Sequence, residues 1–172
     1  MIDEKMFINI LNSREERGEK QREVLKEYPF TLISFTLNTP GIIKDNELYR
    51  RIHSDGLGKI IQLLNSEGVK IKYNEVIVKN TGSEAFLSVD LDAKELKKLM
   101  ISIETSHPLG RIFDIDIFDL NHNQISRWDI GLNPRKCLMC EKDAKICMRE
   151  KNHTYEELIK RIEEISIEYF KE

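Results

Sequence analysis

The 172-residue chain predicts an α+β fold: a single domain on a ferredoxin-like βαββαβ core, an antiparallel or mixed sheet, with a helix added at each end. Three observations predict it. Short runs rich in β-branched and aromatic residues alternate with longer stretches of helical apolar spacing. Between residues 30 and 119 they fall in the order strand, helix, strand, strand, helix, strand, and clusters of Asn, Gly and Pro separate most of them. The resulting plan is an N-terminal helix over 1–28, the core over 30–119, a hairpin and Cys-rich loop over 120–153, and a C-terminal helix over 154–172.

Residues 4 to 28 predict a helix with apolar ends, Met6, Phe7, Ile10 and Leu11 and then Val24, Leu25 and Tyr28, around a charged centre. Arg14, Arg17 and Gln21 share one stripe of it. That run reads either as a solvated face or as arginines reaching a bound phosphate. Pro29 ends the helix, and Phe30 to Leu37 predicts a strand followed by a turn at Asn38-Thr39-Pro40-Gly41. Residues 46 to 65 predict the next helix, with Leu48, Ile52, Ile60, Ile61 and Leu64 inward and an interruption at Asp55-Gly56-Leu57-Gly58. Strands from Val69 to Lys79 and from Ala85 to Leu91 follow, joined by a hairpin turn at Asn80-Thr81-Gly82-Ser83. Asp92 caps a helix from Ala93 to about Glu104, whose Leu96, Leu99, Met100 and Ile103 face inward. After Asp119, Gln124 to Arg127 predict the return arm of a short hairpin. Thr154 and Glu157 have capping-box spacing ahead of a helix with Leu158, Ile162, Ile165 and Tyr169 on one stripe.

Composition narrows the function. Hydrophobic residues make up 40% and charged residues 33%, and a net charge of −3 gives no global pull toward nucleic acid or membrane. No apolar run reaches membrane-span length, and Met1-Ile2-Asp3-Glu4-Lys5 does not open a signal peptide, so a cytoplasmic protein is expected. Its cysteines, Cys137, Cys140 and Cys147, are odd in number and clustered, as suits a reducing compartment.

The chemistry centres on Ile112 to Phe118, a predicted strand opened by Pro108 and Gly110 and closed by Asn121 to Asn123. Alternation puts Asp114 and Asp116 on one face, about 7 Å apart at Cα. Phe113, Ile115 and Ile117 take the other face, while Ile112 and Phe118 are expected to flank the acids on theirs. Two carboxylates so placed can hold Mg²⁺, which takes few protein ligands and completes its shell with water and phosphate. The same alternation also describes a strand with one dry and one wet face.

Cys137, Cys140, Cys147 and His153 read C-x2-C-x6-C-x5-H, four zinc-compatible ligands in one window. The competing reading packs the reduced cysteines as small hydrophobes, with Arg149 and His153 facing an anionic substrate.

Ser34-Phe35-Thr36-Leu37-Asn38-Thr39-Pro40-Gly41, His107-Pro108-Leu109-Gly110-Arg111 with Asp114-Ile115-Asp116, Ile125-Ser126-Arg127, and Arg135-Lys136-Cys137-Leu138-Met139-Cys140 running on to Cys147, Arg149 and His153 recur in this order. Together they resemble the apo-citrate lyase phosphoribosyl-dephospho-CoA transferases, or holo-citrate lyase synthases, over nearly the whole chain. The resemblance implies one nucleotidyltransferase-like transferase domain. It would move the prosthetic group of 2′-(5″-triphosphoribosyl)-3′-dephospho-CoA to a serine of the acyl carrier (gamma) subunit of citrate lyase and release pyrophosphate. It further implies Mg²⁺ on Asp114 and Asp116, with Arg111 beside them as the first arginine of the site. Arg127 and Arg135 come next, with Lys136, Arg14 and Arg17 further out. A third carboxylate is open among Asp129, Glu104 and Asp90. The Gly-Ser pair that usually precedes the acids in nucleotidyltransferases has only Gly82-Ser83, far upstream, to represent it. Two rival readings are a non-catalytic factor that binds the carrier subunit, and the same transfer onto the carrier of malonate decarboxylase.

Overall fold

The structure, a computed structural model, describes residues 2–171. Its elements run α1 (Ile2–Glu27), β1 (Thr31–Leu37), α2 (Glu47–Ser66), β2 (Ile71–Lys79), β3 (Gly82–Val89), α3 (Ala93–Ser106), β4 (Phe113–Phe118), a 3-10 turn (Trp128–Ile130), α4 (Ala144–Glu150) and α5 (Tyr155–Phe170). The four strands form one antiparallel sheet in the order β2-β3-β1-β4.

Local chemistry sets the helix starts. Asn46 accepts from the Tyr49 N–H at α2, Asp92 accepts from Lys94 and Glu95 at α3, and Thr154 and Glu157 close a reciprocal capping box at α5. The predicted break at Asp55 to Gly58 is absent, and α2 runs through it. The reason lies in packing: a Cβ on Gly56 would stand 2.8 Å from the Phe35 and Phe113 rings, so the glycine lets the sheet's aromatics approach the helix backbone. Its entropic cost is met by tertiary contact, not by ending the helix.

Each face of the sheet has its own cover. Ile33, Phe35, Ala85, Leu87, Val89, Phe113, Ile115 and Ile117 join Ile52, Ile60, Leu64, Leu96 and Met100 of α2 and α3 in the main core. On the opposite face Val24 and Leu25 of α1 pack against Leu32, Phe86 and Phe118 in a second, smaller cluster. This second face of the sheet is therefore partly roofed by α1. Polar contacts continue the roof, with Gln21 Nε2 donating to Ser34 Oγ at 3.0 Å. Ile112 departs from its expected side: β4 starts at Phe113, and Ile112 packs into the main core.

β4 is an edge strand, and its outer carbonyls are all occupied. Arg135 donates to the Phe113 carbonyl, Lys97 Nζ to that of Ile115 at 2.9 Å, and the Ile125 N–H to that of Ile117 at 2.8 Å. Such capping blunts an edge against intermolecular pairing. The predicted return arm at Gln124 to Arg127 shrinks to one bridge, Phe118 with Gln124. Asp119 takes the N–H groups of Asn121 and Asn123 at 2.9 and 2.8 Å and so replaces ladder bonds with a side-chain-closed turn. The Cys-rich loop also holds a helix that the sequence reading left out, α4, capped by Asp143.

Candidate active site and cysteine cluster

In register with β1, Asp116 faces Ser34 and Asp114 faces Thr36, so the acids share the α1 side of the sheet as expected. Asp114 opens onto a cavity of about 220 Å³ bounded by the N-terminal half of α1, the ends of β1 and β3, and the segment leading into α2. Asp116 lies deeper and accepts from Gln124 Nε2 at 2.6 Å. Burial, and after it the charge of Asp114, pushes the Asp116 carboxyl up to about 6, with Lys97 pulling the other way.

The cavity wall carries four cations beside the carboxylates of Asp45, Glu84 and Asp114. Arg14, Arg17, Lys44 and Arg50 line it. Arg17 Nε donates to Glu84 Oε1 at 2.8 Å, and Lys79 stands 3.3 Å from the other oxygen of that buried carboxylate. Arg50 holds Asp45 in a two-pronged bond of 2.8 and 2.6 Å. Lys44 donates to the Thr39 carbonyl, and burial together with Arg14 lowers its affinity for a proton. A bound anion would reverse that penalty, because it restores the charge balance lost on burial. Ser83 and Gly82 line the same wall, so the pair that lies far from the acids in sequence reaches the cavity occupied by Asp114.

The other expected residues divide. Arg135 reaches the acid pair, with Nη1 3.9 Å from Asp114 Oδ1 and Nη2 donating to the Gly110 carbonyl at 3.1 Å. Arg111, expected beside the acids, instead donates to the Cys137 carbonyl at 2.7 Å, because the turn at Leu109 to Arg111 aims it at the Cys-rich loop. Arg127 pairs with Glu104, and Asp129 is held by Ser126, so neither of those carboxylates is directed at the pair. Asp90, the remaining third-acid candidate, stands near Lys72 instead. Lys136 pairs with Glu141 at the surface, and Arg149 is exposed on α4. His107 of the same motif is structural: its Nδ1 accepts from the Leu109 N–H at 3.1 Å, and its Nε2 lies 3.3 Å from Asp55 and 3.2 Å from Tyr169 Oη.

Lys44, Arg50 and Glu84 are members that sequence reasoning missed, and Ser83 was weighed only as too far upstream. Arg14 and Arg17 were legible as a helical stripe. The others sit on a turn, a helix start and a strand end, where no periodicity marks them, and only the crossing of α1 over the sheet brings them together.

In the loop that follows Arg135, the Sγ atoms of Cys137, Cys140 and Cys147 and a ring nitrogen of His153 all lie within 4.8 Å of one another. The cysteines are free, and the cluster is able to hold a metal ion. No helix among the described residues is long and apolar enough to cross a membrane.

The fold and the cavity define an α+β protein with a cavity of mixed cations and carboxylates that includes one of a pair of strand acids. A family model described as apo-citrate lyase phosphoribosyl-dephospho-CoA transferase matches residues 6–169. The chain is 41% identical over 154 residues to the apo-citrate lyase phosphoribosyl-dephospho-CoA transferase of Escherichia coli O1:K1 / APEC, covering 90% of this chain and 84% of that relative. Proteins of the same name from Escherichia coli O157:H7 (strain EC4115 / EHEC) and Shigella boydii serotype 18 (strain CDC 3083-94 / BS512) match with the same 41% identity and coverage. The chain belongs to the apo-citrate lyase phosphoribosyl-dephospho-CoA transferase family.

Proposed function

We propose that the chain transfers the 2′-(5″-phosphoribosyl)-3′-dephospho-CoA group from 2′-(5″-triphosphoribosyl)-3′-dephospho-CoA to a serine of the citrate lyase acyl carrier subunit, with release of pyrophosphate. Family membership supports the reaction. The observation that supports its location is Asp114 in the wall of the cavity lined by Arg14, Arg17 and Lys44.

In this reaction the serine oxygen attacks the α-phosphorus, and the bond from that phosphorus to the bridging oxygen breaks. The electron pair leaves with pyrophosphate, and the serine proton passes to a carboxylate of the site or to water. Such a step is catalysed mainly by positioning and by neutralising charge on phosphate oxygens. Arg14 and Arg17 offer guanidinium forks to those oxygens, and Lys44 offers a point charge. The acid pair suits a hard divalent cation: among the described residues its one ion pair is Arg135 at 3.9 Å, and the mutual repulsion of two close carboxylates favours a counter-ion between them. Mg²⁺ held by Asp114 and Asp116 would neutralise phosphate charge and orient the triphosphate.

The strand order read from its other end, β4-β1-β3-β2, supports the ferredoxin-like reading, and the acid pair on β4 supports a nucleotidyltransferase-like one. The same proposal takes residues 1–172 as one cytoplasmic transferase domain and assigns Zn²⁺ as the ion that three thiolates and an imidazole suit.

Pyrophosphate release in the presence of apo carrier, donor and Mg²⁺ tests the assignment. Arg14→Ala and Lys44→Ala are expected to raise the donor KM by about tenfold or more each, the size of one lost charge-assisted hydrogen bond. Unchanged KM in both would remove the triphosphate from this cavity.

A further inference from the structure

The Cys/His loop touches the acid strand through two arginines. Arg135 immediately precedes it: its carbonyl accepts from the Ala144 N–H at 2.8 Å, and the Lys136–Asp143 bridge closes the loop base. Its guanidinium caps the Gly110 and Phe113 carbonyls and stands 3.9 Å from Asp114, while its Nε is buried with no partner among the described residues. Arg111 adds a second tie, through its bond to the Cys137 carbonyl. Apolar packing of this segment is limited to few side chains: Leu138 packs against the main core, while Ile146 and Met148 of α4 are exposed. Leu132 and Met139 are 41% and 39% exposed, and Cys147 is the fully buried side chain of α4.

What the segment does have is four converging donors. Cys140 Sγ lies 3.9 Å from Cys147 Sγ and 3.4 Å from His153 Nε2. A tetrahedral Zn²⁺ with ordinary bond lengths places sulfurs about 3.8 Å apart and a sulfur about 3.6 Å from a nitrogen. A disulfide would need about 2.0 Å. The Met139 N–H donates to Cys137 Sγ at 3.4 Å. Asp143 starts α4 four residues ahead of Cys147, and Lys151, in the left-handed conformation, ends it so that the chain doubles back to His153.

We propose that Cys137, Cys140, Cys147 and His153 bind one Zn²⁺ and that this ion is a positioning device: it fixes the loop base from which Arg135, with Arg111 as a second tie, is set against the acid strand. Arg135 is then a positioning residue whose guanidinium shapes the edge of the phosphate site, a role that rests on the transfer reading. The metal itself does not touch the substrate.

Metal content and amide hydrogen exchange of the full chain test this together. As purified under reducing conditions the chain should carry one zinc, and Co²⁺ in its place should give the thiolate charge-transfer and tetrahedral bands of an S₃N site. Stripping the zinc should remove exchange protection at the Cys137 and Ala144 amides and at residues 110–114, and returning zinc should restore it. Cys140→Ser should lose the metal and reproduce that exchange pattern. In transfer it should fall about 10–100-fold, the usual effect of losing a supporting shell. Arg135→Ala should fall comparably while keeping its zinc and its far-ultraviolet spectrum. Absence of zinc with a Cys140–Cys147 disulfide in its place, or zinc removal that leaves the exchange at residues 110–114 unchanged, would overturn the proposal. If zinc and the exchange response are present but the loaded wild type fails to modify the carrier, the transfer reading fails and the metal's structural role stands.

Discussion

The guanidinium of Arg17 and the carboxylate of Glu84 meet at 2.8 Å in the wall of the cavity, joining α1 to the start of β3. Glu84 is 3% exposed at its side chain, and its ionic partners are Arg17 and Lys79, the latter at 3.3 Å. The pair is one of the ties, with Gln21 to Ser34 and Thr81 to Ser13, that hold α1 over the sheet beside the site. Glu84→Ala should therefore lower stability by about 2 kcal/mol in urea unfolding and raise the donor KM, since it both frees Arg17 and removes a buried hydrogen-bonded charge.

The acid pair should be needed for chemistry and dispensable for folding. Asp114→Ala and Asp116→Ala are expected to retain the far-ultraviolet spectrum and to lose transfer by about 10²–10³-fold or more, as when a group that balances transition-state charge is removed. Single-turnover assays at saturating donor separate this from weakened binding.

Asp116 predicts a pH dependence with a definite sign. Its carboxyl is pushed up to about 6 by burial and by Asp114, above the ordinary value of 3.8. A folded-state value above the unfolded one stabilises the protein fully below the ordinary carboxylate range, and that contribution is lost as pH rises through about 6. In metal-free buffer the melting temperature of Asp116→Asn should match that of the wild type near pH 4 and exceed it increasingly up to about pH 6, with a constant margin above. Adding Mg²⁺ above that range should narrow the margin.

Two glycines should resist even a methyl group. A Cβ on Gly110 would stand 2.6 Å from the backbone oxygens of Ile103 and Glu104, and one on Gly56 would stand 2.8 Å from the Phe35 and Phe113 rings. Gly56→Ala gains helix propensity of up to about 1 kcal/mol. Overpacking costs about 1–3 kcal/mol, so a net loss is expected in thermal unfolding. Gly110→Ala should lose more, because backbone yields less readily than rings, and it should also reduce transfer by shifting the start of β4.

Much of the frame was legible because it rests on local chemistry. The strand order, the caps at Asp92 and Thr154, and the shared face of Asp114 and Asp116 all follow from spacing alone. What failed was what tertiary contact decides. Gly56 read as a breaker, yet it stays helical because two aromatic rings occupy the space of its missing side chain. Arg111 is adjacent to the acids in sequence but is turned toward Cys137, whereas Arg135, distant in sequence, reaches Asp114. Lys44 and Ser83 carry no periodic signal, and only the passage of α1 across the sheet makes them neighbours of Arg14.

The most direct test of the transfer reading is the intact mass of the apo acyl carrier subunit after incubation with this protein, Mg²⁺ and 2′-(5″-triphosphoribosyl)-3′-dephospho-CoA, beside an Asp114→Ala/Asp116→Ala control. The predicted result is a gain equal to one phosphoribosyl-dephospho-CoA group on the carrier serine, absent with the control. An unmodified carrier in the presence of folded wild-type protein and intact donor, or equal modification by the double variant, would contradict the account.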